Sequence, residues 1–351
     1  MPFRIAILAL IASSPALAAV TYSVIAISPQ GASMTGPNGV TANGMLTGSN
    51  DPFIYNNFGG AFDPLGFRPT GLTELSVVTG QFLLQMYGSF SGGSYLQGYI
   101  YNGSSWLSIA NPYANDSANA VGMTSSGALV GNVSTPSGNN HAIVWNANGA
   151  WVDLNSLAGG YANIQAVAVN AAGRVVGSAD GRAFVYDGSS ISLLRTPAST
   201  SSRAEAISSN NRITGSQSMD GNVRAFVTDS LGVVSDLGTL GGLNSTGLGV
   251  NALGQVVGWS QRANGTQTAF LYSNGVMSDI NAMLTQSGSW VIQSALAINE
   301  SGIILASAMN GLGHTHTVLL NPEVPEPSTM LLSMASLAAL YLCRRSLRNR
   351  N

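Results

Sequence analysis

The sequence predicts an all-β fold, a β-propeller built from four-stranded repeats. Three observations lead to this prediction. Similar phrases return along the chain at nearly regular intervals, each set of phrases reads as four short strands, and Gly, Asn, Ser and Val leave few helix-forming segments between them. Four strands in ~40–45 residues is the period of a propeller blade.

The clearest repeat is a phrase of the type Ala-Val-Asn-Ala-Ala-Gly-Arg-Val-Val-Gly-Ser. Its five copies begin at Ala118, Ala166, Ala204, Gly247 and Ala295. A small residue near the end of each copy, the anchor position, is Gly131, Gly177, Gly215, Gly258 and Ala306. The anchors are 46, 38, 43 and 48 residues apart. Two weaker units precede them, one around Gly48 and one in TGQFLLQMYGS with the GYIYNGSSWLSI that follows. Seven units predict seven blades, with six as the alternative.

Within each unit, a strand of small apolar residues is followed by a β-branched strand, an aromatic strand and a short fourth strand. Eight residues recur at fixed points: His141, Arg182, Arg224, Thr268 and His316 open the third strand, and Asp153, Asp236 and Asp279 lie in the fourth. A catalytic residue is needed once, whereas these positions repeat, so we assign them structural roles. The Asp side chains are expected to hold turns by accepting backbone hydrogen bonds.

The two ends of the repeat region complement each other. The last unit stops after His316–Leu320 and lacks a fourth strand, whereas Val20–Ser28 reads as a strand without a unit. We expect this N-terminal strand to pair with the last unit and close the ring, because an unpaired sheet edge invites aggregation.

The third-strand triplets carry a family resemblance. They are His141-Ala142-Ile143, Arg182-Ala183-Phe184, Arg224-Ala225-Phe226 and Thr268-Ala269-Phe270, and a second phrase, DLGTLGG, spans Asp236 to Gly242. Together they resemble the bacterial extracellular HAF repeat over about Ala118 to Leu320. The resemblance implies a secreted β-repeat protein and implies no reaction.

The N-terminus reads as a secretory signal peptide over residues 1–19. A basic Arg4 precedes an apolar stretch and the small-residue site Ala16-Leu17-Ala18, so cleavage is expected after Ala18 or Ala19 by signal peptidase, following passage through the Sec translocon. The single cysteine, Cys343, lies near the other end. The propeller, residues 20–320, must therefore be held together by packing and hydrogen bonds rather than by disulfides.

The C-terminal segment has three parts in a fixed order. A Pro-rich stalk, 321–328, precedes a transmembrane helix, 329–343, and a basic cytoplasmic tail, 344–351, with Arg344, Arg345, Arg348 and Arg350. At ~1.5 Å per residue, the fourteen residues from Met330 to Cys343 span roughly 21 Å, against about 30 Å of hydrocarbon. So short a span suits a temporary anchor.

This tail closely resembles the PEP-CTERM sorting signal of Gram-negative bacteria. The motif stands here as Val324, Pro325, Glu326, Pro327 and Ser328. The resemblance implies that a membrane-embedded exosortase recognises the motif, that the tail is removed and that the protein reaches the cell surface or matrix, in a setting of exopolysaccharide and biofilm. A permanent single-span anchor is the alternative.

Charge and composition exclude some partners. Charged residues make up 8% of the chain, there is no Lys, and eight Arg between the signal and the tail face fifteen Asp and Glu. Nucleic-acid binding needs clustered positive charge, so we expect none. We expect no cofactor or metal: His314 and His316 lack a third ligand, and Ser218–Asn222 lacks the oxygen series of a calcium loop, although calcium in another loop stays an open alternative.

No catalytic motif is present, and we predict a non-enzymatic surface protein that associates with exopolysaccharide. The alternative is a secreted glycoside hydrolase or lyase, which would need two non-repeating carboxylates. Candidates outside the repeated positions are Asp51, Asp63, Glu74 and Asp116. Five tryptophans could stack on sugars, but Trp145 replaces Tyr186 and Tyr272 in the third strand and is expected in the core.

Overall fold

The computed structural model of the chain describes residues 20–26, 112–113, 118–124, 126–146, 150–157, 159–195, 201–285 and 288–323, and the backbone of ten short strands between residues 37 and 108. Nearly all of the described elements are β-strands, as the composition predicts. The exceptions are a helical turn at Leu154–Leu157 and a 3-10 turn at Ile280–Met283.

The front part of the chain forms two four-stranded antiparallel sheets after the N-terminal strand. The strands are β1 Thr21–Ala26, β2 Pro37–Val40, β3 Leu46–Gly48, β4 Ile54–Asn56, β5 Gly60–Phe62, β6 Arg68–Leu72, β7 Ser76–Val78, β8 Gln81–Leu83, β9 Met86–Gly92, β10 Tyr95–Tyr101 and β11 Trp106–Ser108. One sheet has the order β2-β3-β4-β5 and the other β6-β9-β10-β11. Strands β7 and β8, which lie between β6 and β9 in the chain, form a separate two-stranded hairpin. The phrase TGQFLLQMYGS is therefore divided between this hairpin and β9.

The remaining strands form five four-stranded sheets. They are β12 Ala118–Met123, β13 Leu129–Ser134, β14 Asn140–Trp145, β15 Trp151–Asp153, β16 Ile164–Val169, β17 Val175–Ala179, β18 Arg182–Tyr186, β19 Ile191–Leu193, β20 Ser202–Ile207, β21 Ile213–Met219, β22 Asn222–Thr228, β23 Val234–Gly238, β24 Gly241–Val250, β25 Val256–Arg262, β26 Gln267–Ser273, β27 Val276–Asp279, β28 Val291–Ile298, β29 Ile304–Met309 and β30 Thr315–Glu323. Four of these sheets are simple meanders, and the fifth has the order β1-β30-β29-β28. The architecture is consistent with a propeller-like fold.

The first strand of each sheet lies beside the first strand of the next. Contacts join β2 to β6, β6 to β12, and then β12, β16, β20, β24 and β28 in succession, and β28 contacts β2. Apolar cores fill the spaces between successive sheets in the part of the chain with described side chains, and Phe184, Phe226 and Phe270 are fully buried there.

The anchor position explains why the repeat keeps a glycine. In β16 the register shifts between Ala166 and Ala168, next to the pair Ala166–Gly177, and the same shift occurs opposite the anchor of every four-stranded sheet. A Cβ on Gly177 would lie 1.9 Å from the carbonyl oxygen of Gln165, and Gly215 and Gly258 are equally crowded. Any larger residue therefore requires the bulged strand to move.

Each of these glycines also pairs with a phenylalanine, and a Cβ on Gly258 would lie 3.0 Å from Cε1 of Phe270. Gly177 pairs with Phe184, Gly215 with Phe226 and Gly258 with Phe270 in the third strand. In the last sheet Ala306 pairs with Val318, and β28 has a second register shift there, between Ile292 and Ser294. The backbone opposite Ala306 thus differs from that of the glycine-bearing sheets.

The turn between the first and second strands is held by one polar side chain. Thr124, Asn170, Ser208, Asn251 and Asn299 each accept a hydrogen bond from the backbone N–H four residues on, at 2.9–3.1 Å. The amide nitrogens of Asn170 and Asn251 also donate to the carbonyls of Ser208 and Asn299, both at 3.2 Å. These side chains therefore link the turns of different sheets as well as closing their own.

The predicted pairing of the N-terminal strand with the last unit is confirmed. Strand β1 runs antiparallel to β30, from Thr21 opposite Glu323 to Ala26 opposite Val318. The carbonyl of Tyr22 accepts a hydrogen bond from Thr285 N at 3.0 Å, and its side chain is 1% exposed. Burial raises the pKa of Tyr22 to about 12.

This pairing corrects one predicted boundary. The propeller was expected to end at residue 320 and the stalk to begin at 321, but β30 continues to Glu323 because β1 supplies partners for Asn321, Pro322 and Glu323. Proline is tolerated at a position where its missing N–H is not required.

Deleting Val20–Ile27 should lower the free energy of unfolding sharply, because the last sheet loses its fourth strand and the buried Tyr22. Loss of a buried aromatic side chain alone costs about 3–5 kcal/mol. Thermal unfolding of the exported protein measures the effect. Val20→Ala, at an exposed position, is the control and should change stability by no more than about 0.5 kcal/mol. An unchanged melting temperature of the deletion would contradict the closing role of β1.

Gly215→Ala should destabilise the protein by about 1–3 kcal/mol, because the added methyl group overpacks the bulge. The matched variant Ala306→Gly changes the equivalent position in the opposite direction and should cost only about 0.5–1 kcal/mol. Denaturant unfolding of both variants tests the explanation. Equal effects would show that the carbonyl does not restrict the anchor position.

Candidate functional site

Many of the sequence-predicted functional residues lie outside the described residues. These are the signal cleavage site at Ala18 and Ala19, the motif residues Val324, Pro325, Glu326, Pro327 and Ser328, the basic residues Arg344, Arg345, Arg348 and Arg350, and the carboxylates Asp51, Asp63, Glu74 and Asp116. The transmembrane helix expected at 329–343 lies there too. Among the described residues, no helix has the length and apolar character that crossing a membrane requires.

The five repeated third-strand residues occupy one register position. Each pairs with the residue two places after the anchor; the pairs are His141–Val133, Arg182–Ala179, Arg224–Gln217, Thr268–Ser260 and His316–Ala308. The three repeated aspartates also share a position, because each pairs with the third-strand residue opposite the anchor: Asp153 with Ile143, Asp236 with Phe226 and Asp279 with Phe270.

Each of these aspartates closes a turn at the end of its sheet. The carboxylates of Asp153, Asp236 and Asp279 accept hydrogen bonds from the backbone N–H two residues on, at 2.8, 2.9 and 2.9 Å. This is an Asx turn, in which the side chain replaces a backbone acceptor. The carboxylates are therefore engaged by the backbone before any ligand approaches.

One of the aspartates joins a Tyr-Asp-His cluster at the surface. His141 Nδ1 lies 2.8 Å from Asp153 Oδ2, and the hydroxyl of Tyr113, from the segment before β12, donates to the same oxygen. The rings of Tyr113 and His141 meet edge to face with centroids 5.4 Å apart. Burial, and then the hydrogen bond to Asp153, raise the pKa of Tyr113 to about 12. Tyr113 is therefore a neutral donor at physiological pH.

The cluster resembles part of a catalytic relay, in which an acid orients a histidine that activates a hydroxyl or thiol. Among the described residues, no Ser, Thr or Cys side chain hydrogen-bonds to His141. The carboxylate of Asp153 holds a turn, the tyrosine and the histidine together.

A second cluster uses different residues at the same positions. Thr268 Oγ1 donates to Asp279 Oδ1 at 2.9 Å, and Arg262 reaches Asp279 Oδ2 through Nε at 2.8 Å and NH2 at 2.6 Å. Asn281 completes the cluster through its amide. His141 and Thr268 thus do the same work in two sheets, which is to tie the third strand to the fourth.

The histidines near the end of the body are not arranged as metal ligands. Asn310 Nδ2 lies 3.0 Å from His316 Nε2, and Trp290 meets His316 edge to face with centroids 5.3 Å apart. An amide nitrogen can only donate, so His316 Nε2 accepts. The described residues hold no group of three or more His, Cys, Asp or Glu that could share a metal ion.

The segment Ser218–Asn222 forms a tight hairpin turn between β21 and β22. Asp220 and Gly221 have φ of 51° and 77°, which is the left-handed pair of a two-residue turn that matches the twist of the strands. The aspartate is therefore explained by the turn.

Two tryptophans differ in exposure. Trp145 is 6% exposed and packs in an apolar cluster, so its predicted core role is confirmed. Trp151, on the same sheet, is 47% exposed. Its ring centroid lies 6.4 Å from that of Tyr113, which places an aromatic surface beside the Tyr-Asp-His cluster.

A polar cleft between two neighbouring sheets was not foreseen from the sequence. The Gln217 cleft, about 290 Å³, is lined by Ser178, Gly181, Ser201, Ser202, Arg203, Ser216, Gln217, Ser218 and Val223. Gln217 is 1% exposed, and its Oε1 and Nε2 make no hydrogen bond within the described part of the chain. A buried polar group without a partner costs about 1–3 kcal/mol. The signal in the sequence was a glutamine where the other clear units have Val, Ala, Ser and Ala.

The charge at the mouth of this cleft is balanced. Arg203 Nε lies 2.8 Å from Glu205 Oε1, and Arg203 NH1 donates to Gln165 Oε1 at 2.8 Å. Burial raises the pKa of Glu205, and the charge of Arg203 opposes this shift. The rest of the lining is five serines, Gln217, Gly181 and Val223, so the cleft combines hydroxyl and amide groups with apolar surface.

Comparison with solved structures finds distant similarity to other proteins. One is a TolB from Acinetobacter baumannii, at 13% identity and a TM-score of 0.37, covering 65% of this chain and 59% of that one. A second is an Aleuria aurantia lectin mutant in complex with Fucα1-6GlcNAc, at 12% and 0.35, covering 74% and 94%. A third is a Trypanosoma rangeli sialidase in complex with the inhibitor DANA, at 12% and 0.37, covering 91% and 62%. The chain thus spans about six-tenths of the length of the first and third structures.

Comparison with protein families finds a match to the C-terminal segment. No curated protein matches the chain. Residues 323–345 match the PEP-CTERM protein-sorting motif. This motif is the substrate signal for exosortase processing, and it implies export with a membrane-anchored sorting step in a Gram-negative bacterium.

Proposed function

We propose that this chain is a surface or matrix protein whose body is a seven-bladed propeller of HAF-type repeats that binds extracellular polysaccharide without cleaving it. Its C-terminal helix anchors it in the inner membrane until exosortase removes the tail. The observation that carries the proposal is the sorting motif at residues 323–345, which begins at the last residue of β30.

The blade number is supported by the contacts between first strands. Seven first strands contact one another in succession, and β2 contacts both β6 and β28. A ring of six would leave the sheet β2–β5 outside this succession. The two weak units at the front of the chain are therefore counted as blades in the proposal.

A binding role is supported by the polar, weakly charged composition of the chain. The described carboxylates Asp153 and Asp279 hold backbone turns and tie neighbouring strands, whereas the candidate catalytic carboxylates lie outside the described residues. The surface offers hydroxyl and amide groups and few charges. Such groups suit hydrogen bonding to sugar hydroxyls.

Replacing Pro325, Glu326 and Pro327 with Ala should leave the full-length protein in the inner membrane, because the exosortase signal is removed. Cell fractionation and the mass of the released protein measure the outcome. Asn349→Ala, in the tail beyond the matched residues, is the control and should be released as the unaltered protein is. Normal release of the triple variant would defeat the sorting proposal.

The exported protein should co-sediment with the exopolysaccharide of its own cells and generate no new reducing ends. Heat-unfolded protein is the control for non-specific adsorption. New reducing ends would favour the polysaccharide-degrading enzyme instead. If the protein stays in the supernatant and the polymer is not cleaved, both functions are excluded.

A further inference from the structure

The Gln217 cleft combines a cavity with unmet hydrogen-bonding capacity. It lies between the sheets β16–β19 and β20–β23, and serines from both sheets line it. Its volume of about 290 Å³ is close to the lower limit for small-molecule sites. A buried amide without a partner is uncommon in folded proteins and calls for a specific explanation.

The repeat itself does not require an amide at this position. The equivalent residues are Val133, Ala179, Ser260 and Ala308, all buried. Ser260 is satisfied, because its Oγ accepts a hydrogen bond from Leu240 N at 2.9 Å. In the other sheets small or apolar side chains fill this position, so the packing of the repeat does not require the amide of Gln217.

The residue that pairs with Gln217 on the neighbouring strand also has a buried polar atom without a hydrogen-bond partner among the described residues. Arg224 lies directly opposite Gln217, and its Nε is also buried without a hydrogen-bond partner in the described part of the chain. Two adjacent side chains therefore keep polar atoms unpaired at one place. This concentration distinguishes the site from a single misplaced group.

The chemistry of the lining selects a class of ligand. An amide offers a donor and an acceptor side by side, and each serine hydroxyl can do either, which matches the neighbouring hydroxyls of a sugar ring. The cation that lines the cleft, Arg203, is already paired with Glu205. Arg224 lies across the strand pair from Gln217 but does not line the cleft, so the cation that a sugar carboxylate would meet on the lining is the paired Arg203.

We propose that the Gln217 cleft binds one neutral saccharide unit, with the Gln217 amide as both donor and acceptor. The inference rests on the proposed association with extracellular polysaccharide and adds the site and the ligand class. Binding would satisfy the amide that has no hydrogen-bond partner among the described residues.

The test uses the exported protein with glucose, galactose and mannose as neutral probes and glucuronate and galacturonate as acidic ones, measured by saturation-transfer NMR and titration. Gln217→Leu should weaken neutral-sugar binding at least tenfold. Its melting temperature should stay the same or rise, because two unpaired buried atoms are removed. Gln217→Ala is the second variant, since Ala occupies the equivalent position in two other sheets.

The matched control is Gln255→Leu, which removes an amide that is already bonded. Gln255 Oε1 accepts from Asn251 Nδ2 at 2.7 Å in a turn, so this variant should lose stability and keep saccharide binding. Reduced sugar binding in both Gln217 variants, with normal unfolding, supports the site.

Three results would overturn the inference: unchanged affinity in both Gln217 variants, no binding of any neutral probe, or selective binding of the uronates. If one of these results is found but unaltered protein and both variants still co-sediment with the polymer, the assignment of a saccharide site to the Gln217 cleft is wrong and the proposed function stands. If the polymer is not bound either, the proposed function fails with it.

Discussion

The repeated sheets depend on one close approach, between a backbone carbonyl of the first strand, just before its bulge, and the anchor residue of the second strand. At Gly177, Gly215 and Gly258 that oxygen occupies the space a side chain would need. The bulge increases the local twist of the strand, and the bare glycine lets the Phe of the third strand cover it. Bulge, glycine and ring therefore form one unit, and the apolar cores between sheets are built from its copies.

Much of this architecture could be predicted from the sequence because each part has a local cause. The anchors, the turns at Asp220-Gly221 and Asn274-Gly275, and the aromatic third strands have strong short-range signals, and left-handed φ values occur at those turn residues. The pairing of β1 with β30 was also predictable, since a missing strand at one end matched a surplus strand at the other. Here the pattern of the repeat predicted a pairing between two strands that lie far apart in the sequence.

The remaining features depend on contacts that a pattern does not encode. The hairpin β7–β8 lies between β6 and β9 in the chain but pairs with neither, and β6 pairs directly with β9 instead. The end of β30 was placed too early because Pro322 suggested a stalk, whereas β1 holds it in the sheet. At the candidate site, the shared positions of His141, Thr268 and the aspartates followed from the repeat. The isolation of the Gln217 amide depends on side-chain geometry across two sheets and had only a compositional hint.

The order β1-β30-β29-β28 has a mechanical consequence. Strand β30 is the last strand before the tail, yet it is internal to its sheet, with hydrogen-bonded neighbours on both sides. Tension applied to the C-terminal end, as when a protein is held at a membrane and pulled by surrounding polymer, loads two ladders in shear rather than peeling one edge strand. Because β1 is one of those neighbours, the first strand that the structure describes shares the force borne by β30.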